Sequence, residues 1–181
     1  NFLINSILIS SALYLFFMNL RDFFIQKSQN ISQNISHFGF SLLILSILFN
    51  NLFSTEVITN LKVGETFESS KTKIIFENLS QRTGKNYESI VGNFSIQNSK
   101  GKVENFLPEL RIYNQPNIVT SEADIKTTLI SDKFIVINLV QNQDYFNVRY
   151  QVKPFMIWIW ISVVLISLGG LISLVKKKYE K

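Results

Sequence analysis

The stretch "DYFNVRYQVKPFMIWIWISVVLISLGGLISLV" (residues 144–175) changes its hydrophobic period once, at Pro154. Before the proline the pattern alternates. Phe146, Val148, Tyr150 and Val152 fall on one side, and Asn147, Arg149, Gln151 and Lys153 on the other. A period of two is that of a half-buried strand. After the proline no charge occurs through Val175. The run is close to the ~20 apolar residues with which a helix crosses a bilayer. Proline is favoured in the first turn of a helix, where its missing N–H is not needed, so the pattern predicts a helix over 154–175. Trp158 and Trp160 stand near its start, and indoles favour the membrane–water interface.

Two further uncharged runs, residues 2–20 and 35–53, are of similar length. Their scattered Asn and Ser point toward other helices rather than toward lipid. The bulk numbers agree: 46% of residues are hydrophobic, mean hydropathy is +0.18 and Phe alone fills 16 positions. The 100 residues between the second and third runs read differently. "TKIIFENL" (72–79), "ESIVGNFSIQ" (88–97) and "KFIVINLV" (133–140) are strand-like. "SQRTGKN" (80–86) reads as a loop, and "NSKG" (98–101) and "QNQD" (141–144) as hairpin turns. "TSEADI" (120–125) carries helix-capping residues and has room for one helical turn at most. The predicted fold is therefore a membrane protein of α + β class. Three transmembrane helices enclose, between the second and third, a small all-β periplasmic domain of six to eight strands, a sandwich or partly open barrel.

Charge distribution sets the topology. Residues 54–153 hold 12 Lys/Arg against 11 Asp/Glu, so most of the net charge of +5 comes from "RDFFIQK" (21–27) and "KKKYEK" (176–181). If all three runs span, both basic segments lie on one side, the positive-inside pattern. The predicted order is a transmembrane helix (1–20), a cytoplasmic loop (21–34), a transmembrane helix carrying His37 (35–53), a periplasmic β domain (54–153), a transmembrane helix (154–175) and a basic cytoplasmic tail (176–181). With no basic region ahead of residue 2, the first run does not read as a signal peptide; without an initial Met the chain reads as a fragment. A nucleic-acid partner has no basic patch in the middle region to support it. No cysteine is present, which removes disulfides, thiolate metal sites and redox pairs.

The β region offers little for catalysis, having neither His nor Cys. Paired carboxylates such as Glu65/Glu68 and Glu122/Asp124 read as solvated surface charges. The four N-x-S matches at Asn30, Asn34, Asn78 and Asn93 are expected by chance in so Asn- and Ser-rich a sequence. "SLGG" (167–170) lies in a membrane run, where small residues let helices approach. His37, in "NISHFGFSLLILSIL" (34–48), is the single histidine. An ionisable group at the edge of a membrane helix points to function. Two readings stand. The imidazole can rest half-wetted at the interface, or it can be an axial ligand to haem iron within an apolar shell. On the second reading Phe38, Phe40, Leu42 and Leu43 form the wall, and Gly39 leaves room for a flat ligand.

Four stretches, in order, carry a family resemblance: "SHFGFS" opening a membrane helix, "LPELRIY", "SEADI" followed by "SDKFIVI", and "VKPFMIWIW…SLGG". The chain resembles the C-terminal part of the CcmF/NrfE family, haem lyase subunits of cytochrome c maturation, from Ser36 onward. The resemblance implies that His37 is an axial ligand to the iron of a b-type haem, with the second axial ligand supplied by a part of the protein absent here. Ser36 stands where Ala is common, "SEADI" departs from the usual Thr-Glu-Ala, and Lys133-Phe134 replaces Leu-Tyr. The family's tryptophan-rich motif is absent; Trp158 and Trp160 are not it. Implied partners are haem, a haem chaperone, apocytochrome c and other cytochrome c maturation membrane subunits. The implied activity is help in attaching haem covalently to apocytochrome c, with no catalytic residue identifiable here. The implied location is the bacterial inner membrane, ahead of the mitochondrial one. Two alternatives use the same residues: a structural membrane anchor presenting a β-sheet binding module with no cofactor, and a b-type electron carrier outside cytochrome c maturation.

Overall fold

A computed structural model of the chain describes residues 2–25, 31–69, 72–98, 101–140 and 143–179. Three helices and ten strands follow the order α1 (Phe2–Ile25), α2 (Ile31–Phe53), β1 to β10, and α3 (Met156–Tyr179). The chain divides into two compact units. One, Asn1–Ser54, Thr127–Asp132 and Lys153–Lys181, holds the three helices; the other is Thr55–Lys126 and Lys133–Val152.

In the helical unit each helix carries a segment long and apolar enough to cross a membrane: Leu3–Ile25, Ile31–Phe53 and Met156–Lys176. Both α1 and α2 extend the predicted runs toward each other. α1 continues past Leu20 through the Arg21–Asp22 ion pair (3.0 Å), and α2 begins four residues before Ile35. The middle of the predicted cytoplasmic loop, residues 26–30, lies outside the described residues. α1 meets α2 through aromatic rings, with Phe38 packed on Phe16 (5.7 Å) and Phe23 (5.5 Å). α2 meets α3 through small residues. A Cβ on Gly39 would lie 3.0 Å from the Ile166 backbone nitrogen, and one on Gly169 would lie 2.6 Å from the Ser32 carbonyl oxygen. The helices therefore run antiparallel at backbone-to-backbone distance, the arrangement small residues permit in lipid. Gly170, next in sequence, faces open space.

Pro154 does not begin α3. It ends the last strand; Phe155 turns the corner with φ of 61°, and the helix starts at Met156. A bulky residue in the left-handed region is rare. Here neighbours hold it: the Phe155 N–H donates to the Ile130 carbonyl (2.8 Å), and its ring packs on Phe49 (5.4 Å). The Asn50 amide on α2 donates to the Pro154 carbonyl (2.7 Å).

The β unit is a sandwich. One sheet runs β1 (Thr55–Leu61), β10 (Phe146–Pro154), β9 (Ser131–Leu139), β8 (Asp124–Thr127). The other runs β2 (Thr66–Ser69), β3 (Thr72–Thr83), β4 (Tyr87–Asn98), β6 (Glu109–Asn114), β7 (Asn117–Glu122), with β5 (Val103–Phe106) also on β4. Ten strands exceed the predicted six to eight because three of them are four residues long. "TSEADI" is the end of β7 and the start of β8, not a helical turn. "SQRTGKN" is mostly strand: β3 pairs β4 from Thr83↔Glu88 inward, leaving a tight turn in which the Gly84 N–H donates to the Tyr87 carbonyl (2.8 Å). Of the two predicted hairpin turns, Ser99, Lys100, Gln141 and Asn142 lie outside the described residues.

The predicted alternation of β10 holds from Phe146 to Tyr150, with Phe146, Val148 and Tyr150 buried and Arg149 exposed, and breaks at Gln151, which is buried and donates to Glu56 (2.6 Å) while Val152 is half-buried. Phe146, Val148 and Tyr150 join Ile135 and Ile137 of β9 against Ile74, Phe76, Phe94, Ile96, Phe106 and Leu110 of the facing sheet. Phe76 stacks on Phe94 (4.3 Å) and meets Phe146 edge-on (5.6 Å). Such aromatic pairs each add about 0.5–1.5 kcal/mol beyond their buried area.

Candidate functional site

His37 lies in the second turn of α2. The face it occupies follows from helical spacing. Ser36 and Gly39 turn to α3, and Phe38, Leu42 and Leu45 turn inward. His37 itself is exposed, in line with Phe40 (55% exposed), Ile44, Ile47 (51%) and Asn51. Offsets of three and four residues place these five on one stripe. The expected wall is therefore composed differently. Phe38 and Leu42 belong to the bundle interior, so Phe40 is the expected neighbour that shares the face of His37. The room beside Gly39 is filled by Leu165 and Ile166 of α3, so no flat ligand enters there. Among the described residues none hydrogen-bonds to the imidazole, which leaves its ring nitrogens available to a group arriving from outside these three helices.

No group of three or more His, Cys, Asp or Glu gathers among the described residues in a way that could hold a bare metal ion. Haem asks less of the protein. The macrocycle supplies four nitrogens, and the chain need supply only axial ligands and apolar surface. A free imidazole above Phe40, Ile44 and Ile47 fits that requirement for one axial position.

Sequence reasoning did not find an apolar cavity of about 210 Å³ in the helical unit, lined by Phe16, Leu42, Leu45, Ser46, Phe49, Phe155 and Trp158. Its lining begins at Leu42, five residues along α2 from His37, or about 7.5 Å at 1.5 Å per residue. Only the three-dimensional meeting of α1, α2 and the Phe155 corner creates it, so periodicity within one segment carries no sign of it.

The carboxylates of the β unit make local bonds. Glu65 accepts from the Lys62 N–H (2.8 Å), Glu68 pairs with Lys73 (3.8 Å), Glu122 accepts from the Thr120 hydroxyl (3.2 Å) and Asp124 accepts from the Leu107 N–H (2.7 Å). A tighter cluster joins the two sheets. Glu104 on β5 takes both Lys133 bonds (2.9 and 2.8 Å) from β9 and one from Lys102 (2.9 Å). The hydrogen bond from Lys133 holds its carboxyl below the ordinary range. Nearby in charge, burial and then the Glu104 carboxylate push the Tyr150 hydroxyl up to about 12. The cluster has the form of a cross-sheet staple. It contains no nucleophile paired with a base.

Comparison with known proteins places this architecture. The model of the family described as "CcmF C-terminal beta-sandwich" matches residues 52–154. The cytochrome c-type biogenesis protein CcmF of Pseudomonas aeruginosa is 24% identical over 146 residues, covering 81% of this chain and 22% of its own length. That of Escherichia coli K12 is 28% identical over 147 residues, covering 81% and 23%. The chain thus spans less than a quarter of either relative. A solved structure described as "Cytochrome c Heme Lyase CcmF" superposes with a TM-score of 0.63 at 16% identity, over 94% of this chain and 34% of its own. That likeness extends the shared fold from the sandwich to the helices. With apolar helices before and after the two-sheet sandwich in the chain and the family's match running across the sandwich, this chain is a member of the CcmF family, equivalent to its C-terminal part.

Proposed function

We propose that this chain is the C-terminal portion of a membrane haem lyase subunit in cytochrome c maturation, and that His37 is an axial ligand to a b-type haem. One observation carries the ligand assignment. His37 alone offers an uncommitted imidazole, and it stands on the stripe of α2 that neither α1 nor α3 covers. A haem bound there supplies one-electron chemistry. The chain's own contribution is to present the imidazole, to set its height by the close α2–α3 packing of Gly39 on Ile166 and of Gly169 on Ser32 and Ser36, and to line the approach with Phe40, Ile44 and Ile47. The second axial ligand then comes from elsewhere in the longer protein.

The topology follows the positive-inside rule. The apolar segments Leu3–Ile25, Ile31–Phe53 and Met156–Lys176 cross the inner membrane of a bacterium, the connection from α1 to α2 and the basic C-terminal end are cytoplasmic, and the β unit is periplasmic. The β unit then serves as a docking or shielding surface for apocytochrome c, the haem chaperone or other maturation subunits. Its Glu104–Lys133 staple keeps the two sheets in register for that role.

The test is maturation itself. His37→Ala in the full-length protein should abolish covalently attached haem on c-type cytochromes while membrane levels of the protein stay normal. Normal cytochrome c in that background removes the ligand role. A second variant, Asn51→Ala on the same stripe, should leave maturation intact.

A further inference from the structure

The tip of the β8–β9 connection has an unusual composition. Hairpin tips usually hold Gly, Asn or Asp, which suit the backbone and face water. Here the tip is Leu129-Ile130, 66% and 71% exposed. Residues 127–132 also pack with the helical unit rather than with the strands they connect. The indole N–H of Trp158 donates to the Leu129 carbonyl (2.8 Å), and the Phe155 N–H donates to the Ile130 carbonyl (2.8 Å). Both donors sit at the start of α3.

Much of the tip's polar backbone is satisfied within the protein. The Thr128 hydroxyl donates to the Ser131 carbonyl (2.8 Å) and accepts from the Ile130 and Ser131 N–H groups (3.3 and 3.0 Å). The Thr128 N–H also donates to the Ser131 carbonyl (3.1 Å). Three N–H groups and three carbonyls of the tip are thus bonded within the protein, two of the carbonyls to α3 and its lead-in. Water does not need to reach them. A bilayer tolerates irregular backbone only where its polar groups are satisfied internally.

The depth of the tip follows from α3. Its membrane segment, Met156–Lys176, is 21 residues, about 31 Å at 1.5 Å per residue, against a hydrocarbon core of ~30 Å. Residue 158 therefore lies at one edge of that core. An interfacial tryptophan usually turns its N–H to water or to headgroups. Trp158 instead spends it on Leu129, which pins the tip at the same level.

We propose that the β8–β9 tip is a lipid anchor: Leu129 and Ile130 insert into the acyl–headgroup boundary of the bilayer beside the start of α3. The occupant of this apolar tip is lipid because the tip is hydrogen-bonded to the interfacial turn of a membrane-crossing helix.

Spin-label accessibility of the full-length protein in phospholipid nanodiscs tests this. This chain has no cysteine, so Leu129→Cys and Ile130→Cys can each be labelled once other cysteines of the longer protein are replaced. Leu171→Cys, exposed about two-thirds of the way along α3 and inside its membrane segment, is the lipid reference, and Lys85→Cys, in the β3–β4 turn, is the water reference. Both tip labels should give oxygen-to-nickel-chelate collision ratios several-fold above Lys85→Cys and close to Leu171→Cys. Ratios like that of Lys85→Cys put the tip in water and overturn the proposal. Labels shielded from both reagents also overturn it, because the tip is then covered by protein. A water-like Leu171→Cys overturns the membrane span of α3 and the anchor with it.

Discussion

At the scale of single residues, the two adjacent glycines of "SLGG" are unequal. Sequence reasoning treated them as one small-residue pair; the structure separates them because only Gly169 meets backbone on α2. Gly169→Ala must push α2 and α3 apart, and overpacking of this kind costs about 1–3 kcal/mol. Gly170→Ala has free space and gains helix propensity, so its effect should be near zero or slightly stabilising. Thermal unfolding of the two variants in the same detergent checks the contrast; equal loss would mean the helices do not meet at Gly169. Tyr150 gives a pH prediction. Its folded pKa of about 12 lies above its ordinary 10.0, so the folded state keeps a proton that the unfolded chain gives up. The associated stability is fully present below pH 10.0 and falls as pH rises toward 12, by at most about 3 kcal/mol. Tyr150→Phe should flatten that alkaline loss in denaturant melts followed by near-ultraviolet circular dichroism. Glu104 works in the opposite direction. With its carboxyl held low by Lys133, its contribution is present at neutral pH and is lost as pH falls through its folded value. Glu104→Ala leaves Lys133 partly buried without its partner, at a cost of about 1–3 kcal/mol.

Among the elements, the strand-to-helix corner at Phe155 shows what period alone reads and what it does not. The change from alternation to a continuous apolar run was legible in the sequence, because each pattern reports one face or all faces buried. The placement of Pro154 was not. Proline satisfies the first turn of a helix and the last position of a strand equally well, since neither needs its N–H. Contacts from outside the segment decide: Asn50 binds the Pro154 carbonyl, and Ile130 binds the Phe155 N–H. Asn50→Ala should therefore cost about 1 kcal/mol and loosen the start of α3. Hydrogen exchange of the amides of Phe155 and Trp158 would show this as faster exchange; unchanged protection would mean the corner is held without Asn50. The short strands β2 and β8 escaped the sequence for a related reason. Four residues are too few for a period, and only pairing partners distant in sequence define them.

For the molecule as a whole, three apolar helices and a β-sandwich between the second and third were readable from the distribution of charge and hydropathy. His37 stands out in the sequence because it is the single histidine and lies at the edge of an apolar run. The face it occupies was not readable there. Phe38, Gly39 and Phe40 look alike as apolar neighbours in sequence, yet 100° per residue sends them to α1, to α3 and to the open stripe respectively. That separation turns a general apolar setting into a specific arrangement, with an imidazole and Phe40, Ile44 and Ile47 on one uncovered line. The central claim is that this line faces haem, and the reduced absorption spectrum of the purified full-length protein tests it most directly. The wild type should show b-type α and Soret bands, and His37→Ala, at equal protein yield, should lose the haem or shift its spectrum. Unchanged bands in the variant would place the iron on other ligands, and a wild-type protein without haem would make the chain a membrane anchor for its β-sandwich.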